Sequence, residues 1–154
     1  MAKTPKTQQV PSMRAAFISL TAYCPELSQW PTHWQRDTPD IAVGERIVAQ
    51  FTPFLAHLLA SGLARSTLVR HRGNVWLLGG ELIRRRYDDD AFARLPAELA
   101  IGALLHEDGG PLIWPYISEA EQDAFDGTCR KFYWCLQATA LFADDTHRTP
   151  ASQR

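Results

Sequence analysis

Three arginines, Arg65, Arg70 and Arg72, fall within the eight-residue stretch Arg65-Ser66-Thr67-Leu68-Val69-Arg70-His71-Arg72, and a second basic pair, Arg130-Lys131, lies far along the chain. Guanidinium groups bind phosphate oxygens in a bidentate fork, and an ammonium binds them as a point charge. The first turn of a helix adds free backbone amides that favour anions. Ser66, Thr67 and Asn74 are short polar side chains of the kind that reach base edges once the backbone is held. Gly73 allows a close backbone approach. The candidate DNA-contacting set is therefore Arg65, Ser66, Thr67, Arg70, Arg72, Asn74, Arg130 and Lys131, with double-stranded DNA as the partner. The competing reading is a solvated, charged helix face.

Other titratable groups offer less. His57 and His106 have no Cys or carboxylate partner at metal-ligand spacing, and His71 falls on an apolar stripe and reads as a core histidine. His106-Glu107-Asp108 precedes Gly109-Gly110 and reads as a solvated turn. Arg84-Arg85-Arg86 is followed by Asp88-Asp89-Asp90, a juxtaposition that predicts local salt bridges and capping rather than phosphate binding. Nucleophile-elbow, Walker and dinucleotide signatures do not occur. No catalytic residue, cofactor or metal is expected.

The elements that carry these residues read as helices. Residues 1–12 are polar and predict a disordered tail. Residues 13–39 are broken by Pro25, Pro31 and Pro39 and predict an irregular arm that packs Trp30 and Trp34 on the domain; a partner surface is the alternative. Asp40 suits an N-cap, and apolar residues at spacings of three and four from Ile47 to Leu59 predict a helix to about Ser61, with Pro53 kinking it and Gly62 ending it. A second helix is predicted over about 66–86, with Leu68, His71, Val75, Leu78 and Leu82 inward. Gly79-Gly80 within it points to a kink or a close crossing. Pro96 starts a third helix that runs to about His106, with Leu99, Ala103 and Leu104 inward. Ser118-Glu119-Ala120-Glu121 is a capping box. It opens a last helix to about Phe142, whose stripe is Phe125, Cys129, Phe132, Tyr133, Leu136 and Ala140. Residues 143–154 predict a polar tail. The expected fold is all-α, a four- to five-helix orthogonal bundle over 40–142 behind the irregular arm.

Bulk properties fit one such domain. The chain has 154 residues, of which 45% are apolar, enough for a core. Its formal net charge is -1, so DNA binding requires a local basic face that the average hides. Three cysteines, Cys24, Cys129 and Cys135, are too few and scattered for a disulfide framework. No apolar run reaches the roughly 18 residues of a membrane span, and no secretory signal precedes the first prolines. A reducing cytoplasm and no membrane contact are expected.

The stretch Phe54-Leu55, Gly62-Leu63, Thr67 and Val75 resembles the core-binding domain of tyrosine recombinases, the phage integrases. There an aromatic-leucine pattern precedes a Gly-Leu-Ser turn, a threonine, a tyrosine and a leucine. Thr67 falls on the threonine and Val75 on the leucine, while Ala64 replaces the serine and His71 the tyrosine. The loss at Ala64 removes a capping hydroxyl worth about 1 kcal/mol; Ser66 is the alternative cap. Phe125 to Leu136 looks similar to the family's last core-binding helix. The resemblance implies a small helical bundle whose second and last helices face DNA. The family's catalytic half lies after this domain and has no counterpart here. His33-Trp34-Gln35-Arg36 spells His-x-x-Arg but precedes the domain without companion residues, and reads as coincidence.

Two functional readings follow. The first is a non-enzymatic DNA-binding domain, an accessory or truncated relative of such recombinases carried on a mobile element. The second is a protein-interaction or assembly module, favoured by the near-zero charge and by five tryptophans, with Trp30, Trp34 or Trp134 as contact residues.

Overall fold

The computed structural model describes residues 20–113 and 115–147. Expectations for residues 1–19, for Trp114 and for 148–154 lie outside the described residues. The fold is all-α, and no strand occurs among the described residues. Helical residues 20–23 and a 3-10 turn, Leu27–Gln29, lead into α1 (Trp30–Trp34). Then come α2 (Asp40–Ala60), α3 (Arg65–Asp88), α4 (Asp90–Ala93), α5 (Ala97–Leu104) and α6 (Glu119–His147).

An aromatic ladder ties α1, α2 and α6 together. Phe54 stacks on Phe132 with ring centroids 4.3 Å apart, and Phe51 meets Phe132 edge-on at 5.7 Å. Trp34 packs its edge on Phe51 at 6.1 Å and tilts against Trp30 at 5.7 Å. Such pairs add roughly 0.5–1.5 kcal/mol each beyond their burial. Trp30 is 3% exposed and Trp34 6%. The arm thus packs its tryptophans on the domain, and the alternative in which they face a partner is corrected. The arm itself is less irregular than expected, because Trp30–Trp34 form a helical turn.

Gly79 explains how the arm docks. A Cβ on Gly79 would lie 2.1 Å from Trp34 Cζ2. Only a glycine lets the indole press against the α3 backbone, and Trp34 Nε1 donates to the Trp76 carbonyl at 3.0 Å. The close crossing expected at Gly79-Gly80 is made by a ring of α1. A second tie joins Tyr23, whose hydroxyl donates to the Leu68 carbonyl at 2.5 Å, to Arg72, whose guanidinium donates back to the Tyr23 carbonyl at 2.5 Å. Burial, opposed in part by Arg72, pushes the Tyr23 hydroxyl up to about 12.

Element boundaries hold with informative exceptions. Asp40 is the first residue of α2 rather than its N-cap. Its carboxylate accepts from the amides of Arg36 and Asp37, each at 3.0 Å, and from the Tyr87 hydroxyl. Burial pushes this carboxyl up, but those donors outweigh it and hold it below its ordinary value. Gly62 ends α2 with φ of 70°, the left-handed conformation that glycine adopts without steric cost. Helix α3 begins at Arg65 with Ala64 as its N-cap and no side chain capping it. Ser66 sits inside the first turn, which corrects its alternative assignment as the cap. Pro96 is the N-cap of α5, and Leu99 is 57% exposed. The inward stripe is Ala97, Ala100, Ile101 and Leu104, a set at three- and four-residue spacing that leaves Leu99 and Ala103 on the far side. The capping box forms: Glu121 N donates to Ser118 Oγ, and Ser118 N donates to Glu121 Oε1, both at 3.1 Å. Helix α6 then continues past Phe142 to His147.

Two glycines of α3 should respond in opposite directions to alanine. Gly79→Ala forces a methyl into the Trp34 ring and should destabilise by about 1–3 kcal/mol. Gly73 has no neighbour within 4 Å of the position a Cβ would occupy, so Gly73→Ala should stabilise by up to about 1 kcal/mol. Urea-unfolding midpoints of the two variants check both signs.

Candidate functional site

The start of α3 and the middle of α6 frame an open groove of about 950 Å³. Thr67, Arg70 and His71 line it from α3, and Asp123, Gly127, Arg130, Lys131, Trp134 and Ala138 line it from α6. His57 and Leu58 of α2 also line it, together with Ser61 and Leu63 of the turn that follows. These spacings of three and four place each set on one helix face.

One polar seam sets the position of α3 against α6. Thr128 Oγ1 lies 2.7 Å from His71 Nδ1 and accepts from Asn74 Nδ2 at 2.9 Å, while Asn74 also donates to the Ala124 carbonyl at 3.2 Å. His71 is 4% exposed, and its Nε2 is the one buried side-chain nitrogen or oxygen without a hydrogen-bond partner among the described residues. Burial first, then the positive charges of Lys131 and Arg70, hold its pKa below the ordinary value. The imidazole is therefore neutral in the fold near pH 7.

The eight sequence-predicted residues separate into two groups. Thr67, Arg70, Arg130 and Lys131 converge on the groove, although α3 and α6 are about sixty positions apart in sequence. Arg65 and Ser66 are exposed in the first turn of α3. Arg72 and Asn74 do not join them. Arg72 is bound to the Tyr23 carbonyl and lies over the Tyr23 ring, 5.7 Å from its centroid. Asn74 holds α6. Both are structural in this fold, and their helix positions alone could not reveal it because their partners come from distant segments.

The charges are distributed unevenly between groove and helix end. No ion pair forms at Arg65, Arg70, Arg130 or Lys131 among the described residues, although Arg130 donates to the Asp108 carbonyl at 3.1 Å. Asp123 is the one carboxylate that lines the groove. Two arginines near the end of α3, Arg84 and Arg85, are neutralised instead, while Arg86 donates to the Ala93 carbonyl. Arg84 bonds Glu81 and Asp88, both at 2.7 Å, and Arg85 bonds Glu81 at 2.8 Å. Burial pushes the Glu81 carboxyl up, but the hydrogen bonds from Arg84 and Arg85 outweigh it and hold it below its ordinary value. Local salt bridging was expected here, but Glu81, which sequence reasoning missed, is its centre. The signal was present as Glu81 with Arg84 and Arg85 at i+3 and i+4.

Trp134 stands at the groove, 56% exposed, with its ring set edge-on to Tyr133 at 5.1 Å. The sequence marks Trp134 as a protein contact, whereas the pairing of α3 with α6 sets it beside the basic residues. No group of three or more His, Cys, Asp or Glu side chains is placed to hold a metal ion among the described residues. No helix among them is long and apolar enough to cross a membrane.

Comparison with protein-family models, with curated proteins and with solved structures finds no match for this chain. The likeness to recombinase core-binding domains therefore rests on the sequence pattern alone.

The seam should dominate two responses. Thr128→Val removes the one hydrogen-bond partner of His71 and one of those of Asn74, and should cost about 1–3 kcal/mol, read by chemical denaturation. Stability should also fall as pH drops below about 6.5, the ordinary histidine value. There the unfolded chain takes up a proton that the folded His71 refuses, so unfolding gains protons. The loss levels off below the folded pKa. His71→Phe should flatten stability between pH 7 and 5, a window above that of the Asp40 and Glu81 carboxylates. Denaturation midpoints across that range check it.

Proposed function

We propose that this chain is a non-enzymatic DNA-binding domain that grips the phosphate backbone of double-stranded DNA with the α3–α6 groove. One observation carries the reading: Thr67, Arg70, Arg130 and Lys131, from helices distant in sequence, share one open groove, and its three cations form no ion pair among the described residues. A net charge of -1 gives no general attraction to nucleic acid, so a local unneutralised cluster is what phosphate binding requires. The first turn of α3 adds to it. The amides of Arg65, Ser66 and Thr67 precede the first intrahelical bond, from Leu68 N to the Ala64 carbonyl, and no side chain caps them. Free amides at a helix start favour a phosphate oxygen. The reading agrees with what the recombinase likeness implies, a DNA face made by the second and last helices. It includes kinship with recombinase core-binding domains and an accessory role in DNA integration or recombination. A reducing cytoplasm suits the free thiols of Cys24, Cys129 and Cys135.

A second reading, a protein-interaction module, draws on the exposure of Trp134 and Leu141 on α6. An apolar stripe on an open helix face is a common docking surface. A stable oligomer in light scattering, with no affinity for DNA, would favour it.

Salt dependence separates direct contacts from structural ones. Three phosphate contacts predict a log–log salt slope of about -2.7. Arg70→Ala with Lys131→Ala should weaken duplex binding at low salt, make the slope shallower by about two, and leave the unfolding midpoint unchanged. Arg72→Ala should lower the midpoint instead, by loosening Tyr23. Fluorescence anisotropy with a labelled duplex over a salt series checks the first pair, and urea titration checks the second.

A further inference from the structure

We propose that the groove also receives one unpaired DNA base, stacked on the Trp134 indole, while the adjoining phosphates lie on Arg70, Arg130 and Lys131. This rests on the DNA reading above and names the form of DNA that the groove prefers. Three observations lead to it.

The first is the combination of side chains. An exposed indole beside three cations that form no ion pair among the described residues is the pairing used for unpaired nucleotides: a π surface for the base and positive charge for the backbone. A duplex buries its base faces within its own stack, so a fully paired strand offers Trp134 an edge but no face. Tyr133 holds the indole edge-on, which fixes the orientation of the stacking surface.

The second is the shape. A groove of about 950 Å³ lies at the upper end of the roughly 300–1,000 Å³ that encloses a drug-sized molecule. A nucleoside is smaller than that. A double helix can lay its backbone on the cations that line this groove, but its paired bases do not enter, whereas one displaced base does.

The third is His71. It lines the groove, it is more than nine-tenths buried, and its Nε2 has no hydrogen-bond partner. Buried polar atoms are nearly always satisfied. Nε2 is closed to the open groove, so a base edge there reaches it only if the imidazole shifts, and that edge then supplies the partner that the described residues do not. The carboxylate of Asp123, which also lines the groove, repels phosphate and suits the amino group of a base.

Three labelled probes of one sequence test this at fixed salt: a blunt duplex, the same duplex with a one-nucleotide 3′ overhang, and that overhang made abasic. The abasic probe keeps the extra phosphate and sugar but lacks the base. The full-length protein should bind the base-bearing overhang about 5- to 100-fold tighter than the abasic one. Trp134→Leu should erase that preference, while Trp134→Phe should keep part of it. Equal affinity for the two overhangs overturns the inference and leaves duplex binding standing. No affinity for any of the three overturns both. The wild-type comparison needs no substitution, so a poorly folded variant does not remove the test.

Discussion

The groove exists because α3 and α6 are held at one polar point, the Thr128 hydroxyl. His71 and Asn74 meet that hydroxyl from α3, and Asn74 also takes the Ala124 carbonyl. Apolar packing alone permits two helices to slide by small increments. A buried hydrogen-bonded cluster does not, because each misplacement leaves a polar atom without a partner. Arg70 is one residue before His71, Arg130 and Lys131 are two and three residues after Thr128, and all three inherit their positions from the seam. The basic face of the molecule is thus a consequence of a buried contact rather than of surface charge placement.

A second constraint works from the opposite side of α3. Trp34 presses on the bare backbone at Gly79, the Tyr23 hydroxyl donates to the Leu68 carbonyl, and Arg72 donates to the Tyr23 carbonyl. The arm therefore occupies one face of α3 and leaves the face toward α6 to form the groove. Arg72 is consumed by this arrangement and Arg70 is not, although they are two residues apart. On a helix that separation turns the two side chains to different faces. The end of α3 is treated differently again. Glu81 collects Arg84 and Arg85 into a local network, so two of the three arginines in the densest run of the chain contribute little free charge.

Much of this was legible in the amino-acid sequence. The 3.6-residue periodicity located α2, α3 and α6, and the capping box and Gly62 marked their ends because those signals are local. The weaker α5 was found, but with Leu99 on the wrong face, since a short apolar helix has several equally apolar sides. The candidate site was half legible. Thr67, Arg70, Arg130 and Lys131 were identified by type and meet in the structure. Arg72 and Asn74 had the same chemistry but are claimed by Tyr23, Ala124 and Thr128, partners about fifty residues away. Periodicity gives the face of a helix and says nothing about which distant segment covers it. Trp134 illustrates the converse: its exposure was foreseen, but its place beside the cations depends on the α3–α6 pairing.

The central claim is that nucleic acid contacts the groove between α3 and α6. Backbone amide spectra of the isotope-labelled protein, recorded during titration with a short DNA duplex, test it most directly. Shifts should cluster at residues 65–71 of α3 and 127–134 of α6, with the Arg84–Asp88 end unmoved. Shifts centred on the Arg84–Arg86 run, or none at DNA concentrations that saturate binding, would contradict it.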